Sequence, residues 1–149
     1  MTIELERLQD LSIYYWLTDL LASVSVSVFD GYQDQELVIP SVSVVNEDIV
    51  LIPHELGTST NLRSRIFDLD VIGNTKTQRD ALASMIIVGL EGGIPVYDYN
   101  EGFPPSVSPT QISTLSPLRI QARMIRIFPE LVEKLYWRSS IRFIVEYIP

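Results

Sequence analysis

The chain has no cysteine and a single histidine among its 149 residues. Without cysteine it can form neither disulfides nor thiolate metal sites. The one histidine, His54, stands between Pro53 and Glu55, a setting that predicts an exposed side chain in a loop. A lone histidine supplies neither a catalytic triad nor a set of metal ligands.

Long apolar runs are also missing. No segment approaches the ~18 consecutive apolar residues of a membrane-spanning helix. The opening residues, MTIELER, are acidic where a secretory signal is basic, and no apolar stretch follows them. We therefore expect a soluble protein with no membrane partner, and the lack of cysteine fits the cytosol or a virion.

Catalytic signatures are absent as well. The sequence contains no GxSxG, HExxH or GxGxxG pattern, and GNTKT at residues 73–77 lacks the spacing of a phosphate-binding loop. Asp68 and Asp70 lie roughly 7 Å apart along a predicted strand, a separation that paired-carboxylate hydrolysis can use. No third group accompanies them.

The loop residues Asp98, Asn100 and Glu101 offer oxygen ligands but lack the calcium-loop spacing. We therefore expect no enzyme activity and no catalytic, cofactor-binding or metal-binding residues. A small ligand-binding or hydrolytic α+β domain that uses Asp68 and Asp70, or the 98–101 loop, stays open as an alternative of another class.

Apolar residues are abundant, at 46%, and 20% of residues are charged, which is typical of an ordered globular protein. The length predicts a single domain over residues 1–149. The net charge of −8 is unevenly spread. Residues 1–60 carry ten acidic residues against Arg7 alone, whereas residues 61–149 carry nine acidic and ten basic residues.

This asymmetry has two interpretations. Acidic loops and helix faces fall early in the chain by chance, or the protomer has an acidic side and a more basic side. The second suits head-to-tail contacts in a ring, where unlike surfaces meet. The acidic total argues against nucleic acid as the main partner, because phosphate contacts need clustered Lys and Arg.

Segment 63–90 predicts a strand and then a helix. Arg63, Arg65 and the odd-numbered residues after them face one way along the strand, and Asp68 and Asp70 face the other.

The helix begins at the capping-box sequence TKTQ at 75–78 and ends at Gly92 and Gly93. Near its end, Ile87 and Val88 make it apolar on nearly every side. We therefore expect this helix both to build the core and to contact a neighbouring subunit.

An earlier helix is predicted near the N-terminus, capped by Thr2. Its second half is apolar on two sides, which indicates burial on more than one side. Either it is a well-covered core helix, or Tyr14 and Trp16 pack against another subunit, since aromatic residues are enriched at interface cores.

Strand patterns follow this helix. Ser23–Phe29 alternates strictly. Ser41–Val45 and Ile49–Ile52 are two more strands, and the polar Asn46–Asp48 between them predicts a tight turn and hence a hairpin.

The chain ends in a long predicted hairpin, LRIQARMIRIF and YWRSSIRFIVEYI, and its period-two pattern slips after Met124, which indicates a β-bulge. Before it come a short strand at Ile94–Tyr97, a long loop at 98–107 and an irregular segment between Ser108 and Pro117.

Four arginines, Arg119, Arg123, Arg138 and Arg142, gather on one side of this hairpin. They form a solvated sheet face, or a partner surface for acidic residues of a neighbouring protomer. Nucleic-acid binding by this face is a third possibility, which steep salt dependence would identify.

These elements predict an α+β fold: a mixed, mainly antiparallel sheet with two main helices packed on it and a long C-terminal β-hairpin. The order resembles the tail terminator proteins of long-tailed bacteriophages, small neck subunits that close the tail tube and meet the head. The resemblance lies in RIFDLDVIGNTKTQRDALASMI at 65–86, IPVYDYNEGFPP at 94–105 and the two strands of the terminal hairpin. The first 60 residues depart from the family pattern, which leaves a related tail-completion or head-completion connector subunit as an alternative.

The resemblance implies a non-enzymatic structural protein of the virion neck, made in the host cytoplasm and needing no cofactor. It implies a homo-oligomeric ring, of six subunits, between a tail tube protein and a head-completion or connector protein. DNA then passes through the lumen without sequence-specific binding. The candidate subunit-interface residues are Tyr14, Trp16, Arg63, Arg65, Ile87, Val88, Arg119, Arg123, Arg138 and Arg142.

Overall fold

A computed structural model describes residues 2–31, 38–53, 61–126 and 137–149. These residues form two α-helices, seven β-strands and one 3-10 turn. The loop predicted around His54 lies outside them. The elements are α1 (Leu5–Leu20), β1 (Ser27–Asp30), β2 (Ser41–Pro53), β3 (Asn61–Gly73), α2 (Lys76–Glu91), β4 (Ile94–Tyr97), the 3-10 turn (Tyr99–Glu101), β5 (Gln111–Leu115), β6 (Arg119–Arg126) and β7 (Trp137–Tyr147).

Five strands form one sheet in the order β1-β2-β3-β7-β6. The β1–β2 pair is parallel, and the other three pairs are antiparallel. β4 and β5 form a separate antiparallel pair. The predicted α+β fold, with its mixed and mainly antiparallel sheet, two helices and C-terminal hairpin, is confirmed.

The core lies between one face of the large sheet and the helices. Phe67 and Phe143 are register partners on β3 and β7, are fully buried, and stack with their ring centroids 5.2 Å apart. α2 contacts β3 and β7, while α1 contacts β1, β2, β4 and α2. The predicted burial of the first helix on more than one side is therefore confirmed. In the described part of the chain neither 16-residue helix has the length and apolarity needed to cross a membrane.

The start of α2 follows its sequence signature. Thr75 Oγ1 accepts a hydrogen bond from the Gln78 amide at 3.1 Å, and Gln78 Oε1 accepts one from the Asn74 amide at 2.8 Å. The helix ends at Glu91, with Gly92 as its C-cap. The predicted capping box and glycine stop are both confirmed. Such features can be predicted from the sequence because they depend only on residues that are neighbours in the chain.

The start of α1 corrects an expectation. The helix begins at Leu5 with Glu4 as its N-cap, and Thr2 does not cap it. The Ile3 amide instead donates to Asn100 Oδ1 at 2.7 Å. A tertiary hydrogen bond thus holds the segment before the helix.

The predicted hairpin between Ser41–Val45 and Ile49–Ile52 is wrong. Both segments belong to the single strand β2, and both pair with β3. The polar Asn46–Asp48, expected to be a turn, falls where the register of that pair shifts. The 13 residues of β3 are long enough to pair with both segments, so the polar triplet is absorbed as an irregularity and the strand does not reverse.

Three other expectations also need correction. The strand expected over Ser23–Phe29 begins only at Ser27 and forms β1, whose four residues pair with β2. The irregular segment after residue 107 contains β5, which pairs with β4. The bulge expected after Met124 is absent, since β6 and β7 keep one register throughout. The side of the sheet that faces away from the helices also carries an apolar residue, Ile144. A change in the apolar pattern after Met124 therefore does not require a bulge.

Candidate functional site

The arginines of the terminal hairpin do share one face, as predicted. Register partners across antiparallel strands point to the same side of a sheet. Gln121 lies opposite Arg142, and Arg123 lies opposite Ser140. Together with Arg138 these residues line a depression of about 250 Å³. This face, which we call the arginine face (Arg119, Arg123, Arg138 and Arg142), is turned away from the helices.

Two of these arginines bind carboxylates on β3. Arg142 Nε and Nη2 donate to the two oxygens of Asp68 at 3.0 and 3.1 Å. Arg138 Nη2 donates to both oxygens of Asp70 at 3.0 and 2.9 Å. The two carboxylates considered for hydrolysis therefore serve as ion-pair partners across the β3–β7 pair, where a general acid or base would need its oxygens available for substrate.

Arg119 and Arg123 differ from that pair. Both are exposed, and neither has an ion-pair partner among the described residues. They lie on β6, one of the two edge strands of the described sheet. Within the described ranges, the arginine face therefore presents two positive charges without ion-pair partners on its edge strand.

The other two candidate arginines lie on the opposite face of the sheet. Arg65 is only 3% exposed, and its Nη2 donates to Asp10 Oδ1 of α1 at 2.9 Å. Its Nη1 donates to Gln9 Oε1 at 2.8 Å, and its guanidinium lies 4.6 Å from the centre of the Phe67 ring. Burial raises the pKa of Asp10, and this effect exceeds the lowering by Arg65. Arg65 thus anchors α1 to β3 inside the protein and is unavailable to a neighbouring subunit.

Arg63 belongs to a smaller cluster at the start of α1. It forms an ion pair with Glu6, whose Oε1 also accepts a hydrogen bond from the Tyr147 hydroxyl at 2.9 Å. Burial by itself raises the pKa of Glu6, but hydrogen bonds from Tyr147, its own amide and Arg63 bring that pKa below its ordinary value. Burial and the Glu6 carboxylate raise the pKa of Tyr147 to about 12. The cluster ties the helix to the end of the sheet.

The apolar candidates lie on the two helices. Trp16 packs on Gly89, where an added Cβ would lie 2.9 Å from Trp16 Cζ2. Tyr14 is half-buried, with its ring centroid 5.3 Å from that of Tyr15. Ile87 packs against the core, whereas Val88 is 65% exposed. Val88 therefore remains the most accessible of these candidates, and Trp16 contributes to the contact between α1 and α2.

A surface that the sequence reasoning missed lies on β2. Ile49, Val50 and Leu51 are 50%, 48% and 57% exposed. We call them the β2 apolar segment. The run of apolar residues is visible in the sequence, but its local pattern predicts one strand of a hairpin.

The carboxylates of the 98–101 loop have local partners. Asp98 Oδ1 accepts from the Asn100 amide at 3.1 Å and from Asn100 Nδ2 at 3.0 Å. Glu101 Oε2 accepts from the Thr110 amide at 2.7 Å. These bonds shape the loop, and across the described ranges no group of three or more His, Cys, Asp or Glu side chains is placed to hold a metal ion.

A second missed feature is an aromatic cavity beside this loop. Tyr15 and Trp16 of α1 form one wall of a cavity of about 320 Å³, and Tyr97 and Tyr99 form another. The sequence signal was the tyrosine-rich VYDY followed by prolines, and only the placement of α1 against β4 brings the two walls together.

No protein-family model matches this chain. No curated protein matches it. Among solved structures, 27 chains match. One belongs to the "Virion of native gene transfer agent (GTA) particle"; it is 20% identical, with a TM-score of 0.46, and the match covers 93% of this chain and 90% of that one.

Proposed function

We propose that this chain is a structural subunit of a phage-like virion that assembles with copies of itself. The observation that carries the proposal is the β2 apolar segment. Three consecutive large apolar side chains are about half exposed there. Neighbouring residues on a strand point to opposite faces, so both faces of β2 offer apolar surface to solvent.

The edge of β2 supports the same conclusion. β1 pairs with β2 only as far as Val44, and among the described strands no other pairs with that edge of β2. An exposed apolar strand with an unpaired edge is a site for association with another chain.

The charge distribution favours a contact between unlike surfaces of neighbouring copies. Two arginines of the arginine face have no ion-pair partner among the described residues, whereas the first 60 residues are strongly acidic. Unlike surfaces that meet head to tail generate a closed ring when the rotation between subunits closes. The net charge of −8 also suits a ring that conducts DNA without holding it, since tight binding requires clustered basic residues.

The finer role follows from the sequence resemblance. We propose a tail terminator subunit, in a ring of six, that ends the tail tube and joins it to the head-completion or connector protein. A related tail-completion or head-completion subunit is the alternative within the same class. Both place the protein in the virion neck after assembly in the host cytoplasm.

Light scattering and negative-stain imaging of the purified protein test the proposal, first alone and then mixed with tail tubes. The wild type should form rings in at least one condition. Val50→Lys should prevent assembly because it places a charge in the apolar contact. Ile112→Lys is the matched control, since Ile112 on β5 has the same 48% exposure and should leave assembly unchanged.

Two results would overturn the proposal. One is a wild-type protein that stays monomeric both alone and with tail tubes. The other is a Val50→Lys variant that assembles as well as the wild type, because the β2 apolar segment would then have no part in the contact.

A further inference from the structure

The aromatic cavity lies between the C-terminal half of α1 and the loop that follows β4. The rings of Tyr15 and Tyr99 lie 5.2 Å apart, and those of Tyr97 and Tyr99 lie 6.4 Å apart. Its volume of about 320 Å³ lies at the lower end of the range for ligand pockets, about 300–1,000 Å³. The cavity is therefore large enough for one long side chain.

The cavity is held open by the fold. The Tyr97 amide donates to Ser12 Oγ at 3.1 Å, and Ser12 Oγ donates to the Leu8 carbonyl at 2.7 Å, so β4 is fixed to α1. Tyr99 is buried, and its ring stacks on Phe103 at 5.7 Å. A preformed cavity requires little ordering when a side chain enters.

The chemistry of the cavity favours a cation. The faces of tyrosine and tryptophan rings carry negative electrostatic potential. Asp19 lines the cavity and is exposed, and its carboxylate forms no ion pair in the part of the chain that the structure describes. None of the described residues that line the cavity is basic. A guanidinium matches these groups because it stacks on aromatic faces and binds a carboxylate through two donors.

We propose that this cavity receives an arginine, Arg119 or Arg123, from a second copy of the chain. These are the two arginines of the arginine face that lack ion-pair partners among the described residues, and they lie on an edge strand where a neighbour can approach. The arginine face and the cavity are on opposite sides of the large sheet, so each copy offers one surface and receives the other. Such a contact is heterologous.

This contact rests on the proposed function, and it adds a second, charged contact to the one made by the β2 apolar segment. Asp19→Arg removes the receiving site, and the double variant Arg119→Glu/Arg123→Glu removes the inserting one. All three side chains are exposed, so both variants should fold. Glu91→Arg makes the same charge change as Asp19→Arg at another exposed position, and Lys76→Glu makes the same change as one of the two arginine substitutions, so both serve as controls.

Sedimentation and light scattering give the expected pattern. Asp19→Arg alone and the double variant Arg119→Glu/Arg123→Glu alone should stay monomeric under conditions in which the wild type and both controls assemble. An equimolar mixture of the two variants retains one intact contact, formed by the Asp19→Arg copy's arginines and the other copy's cavity. It should give a heterodimer and nothing larger. Where the wild type assembles, normal assembly by Asp19→Arg, or no heterodimer in the mixture, overturns the proposal.

A second measurement does not depend on ring formation. NMR of the wild-type protein with a synthetic peptide, PLRIQARMIR (residues 117–126), should shift the signals of Trp16, Tyr97 and Tyr99. A peptide with glutamine at both inner arginine positions, and the Asp19→Arg protein, should bind about tenfold or more weakly.

The two measurements separate the two proposals. A wild type that never assembles but binds the peptide in the cavity overturns the proposed function and supports the cavity. A wild type that assembles while its cavity signals do not respond to the peptide overturns the cavity and leaves the proposed function in place.

Discussion

Arg65 Nη2 donates to Asp10 Oδ1 over 2.9 Å, and this bond joins β3 to α1 inside the protein. Both side chains are nearly inaccessible to solvent, at 4% and 11% exposure. A buried charge is tolerated only when its partner stays in place. The pair therefore determines where α1 lies on the sheet.

Replacing Arg65 with methionine should strongly destabilise the protein. It leaves the Asp10 carboxylate buried without a compensating charge, and we expect a loss of about 3–5 kcal/mol in the free energy of unfolding. Urea unfolding monitored by circular dichroism measures it. The double variant Arg65→Met/Asp10→Leu should recover most of the loss, because the unpaired charge is then gone.

Arg138→Met is the matched control for this prediction. Arg138 also binds a carboxylate, Asp70, which is 14% exposed, but the Arg138 side chain is 36% exposed where that of Arg65 is 4% exposed. An ion pair in contact with water contributes about 0–1 kcal/mol, so the variant should be close to wild type. Equal losses at Arg65 and Arg138 would show that burial does not separate the two pairs.

Tyr147→Phe should change how stability depends on alkaline pH. The pKa of Tyr147 is raised from 10.0 to about 12 in the folded protein. A group whose pKa is higher when folded contributes stability that is present below the unfolded pKa and is lost as pH rises through the folded one. The wild type should therefore lose stability between pH 10 and 12.

The variant should lose less in that window, since phenylalanine cannot ionise. Urea unfolding of both proteins at neutral and alkaline pH measures the difference. Tyr99, whose pKa burial also raises, contributes to both proteins and cancels in the comparison. An identical alkaline loss in the wild type and the variant would contradict the role given to the Tyr147–Glu6 hydrogen bond.

Phe143→Ala should cost about 3–5 kcal/mol because it opens a cavity beside Phe67 in the fully buried core. Val88→Ala is the control, since Val88 is 65% exposed and a surface change of this kind costs about 0.5 kcal/mol or less. Thermal and urea unfolding measure both. A small effect at Phe143 would mean that the surrounding core collapses into the space.

Gly89→Ala tests the contact between the helices. The new Cβ would lie 2.9 Å from Trp16 Cζ2 and 3.1 Å from Leu20 Cδ2. Overpacking costs about 1–3 kcal/mol, which exceeds the gain in helix propensity of about 1 kcal/mol. We expect net destabilisation of about 1 kcal/mol, measured by urea unfolding.

Gly92→Ala is the comparison for that substitution. Gly92 has right-handed helical backbone angles, and its added Cβ would meet only the Gly89 carbonyl oxygen at 3.5 Å. Alanine should therefore be neutral or stabilising by about 0.5 kcal/mol. If Gly89→Ala proved as stable as Gly92→Ala, the Trp16 ring would have to move freely.

Local sequence determined much of this fold. The period-two pattern predicted β3 and β7, and the TKTQ sequence predicted the start of α2, because these features depend on residues adjacent in the chain. The same pattern placed the four hairpin arginines on one face. It could not predict that Asn46–Asp48 lies within one strand, because that depends on pairing with β3, which no local pattern contains.

The α+β class, the two helices, the alternation of β3 and β7 and the lack of cysteine chemistry all follow from the sequence. Which face of the sheet the helices cover depends on tertiary packing. Arg65 and Arg123 both occupy alternating strand positions, yet one is buried against Asp10 and the other is exposed. A strand pattern divides residues between the two faces of the sheet. The packing of α1 against one of these faces determines which residues are buried from solvent.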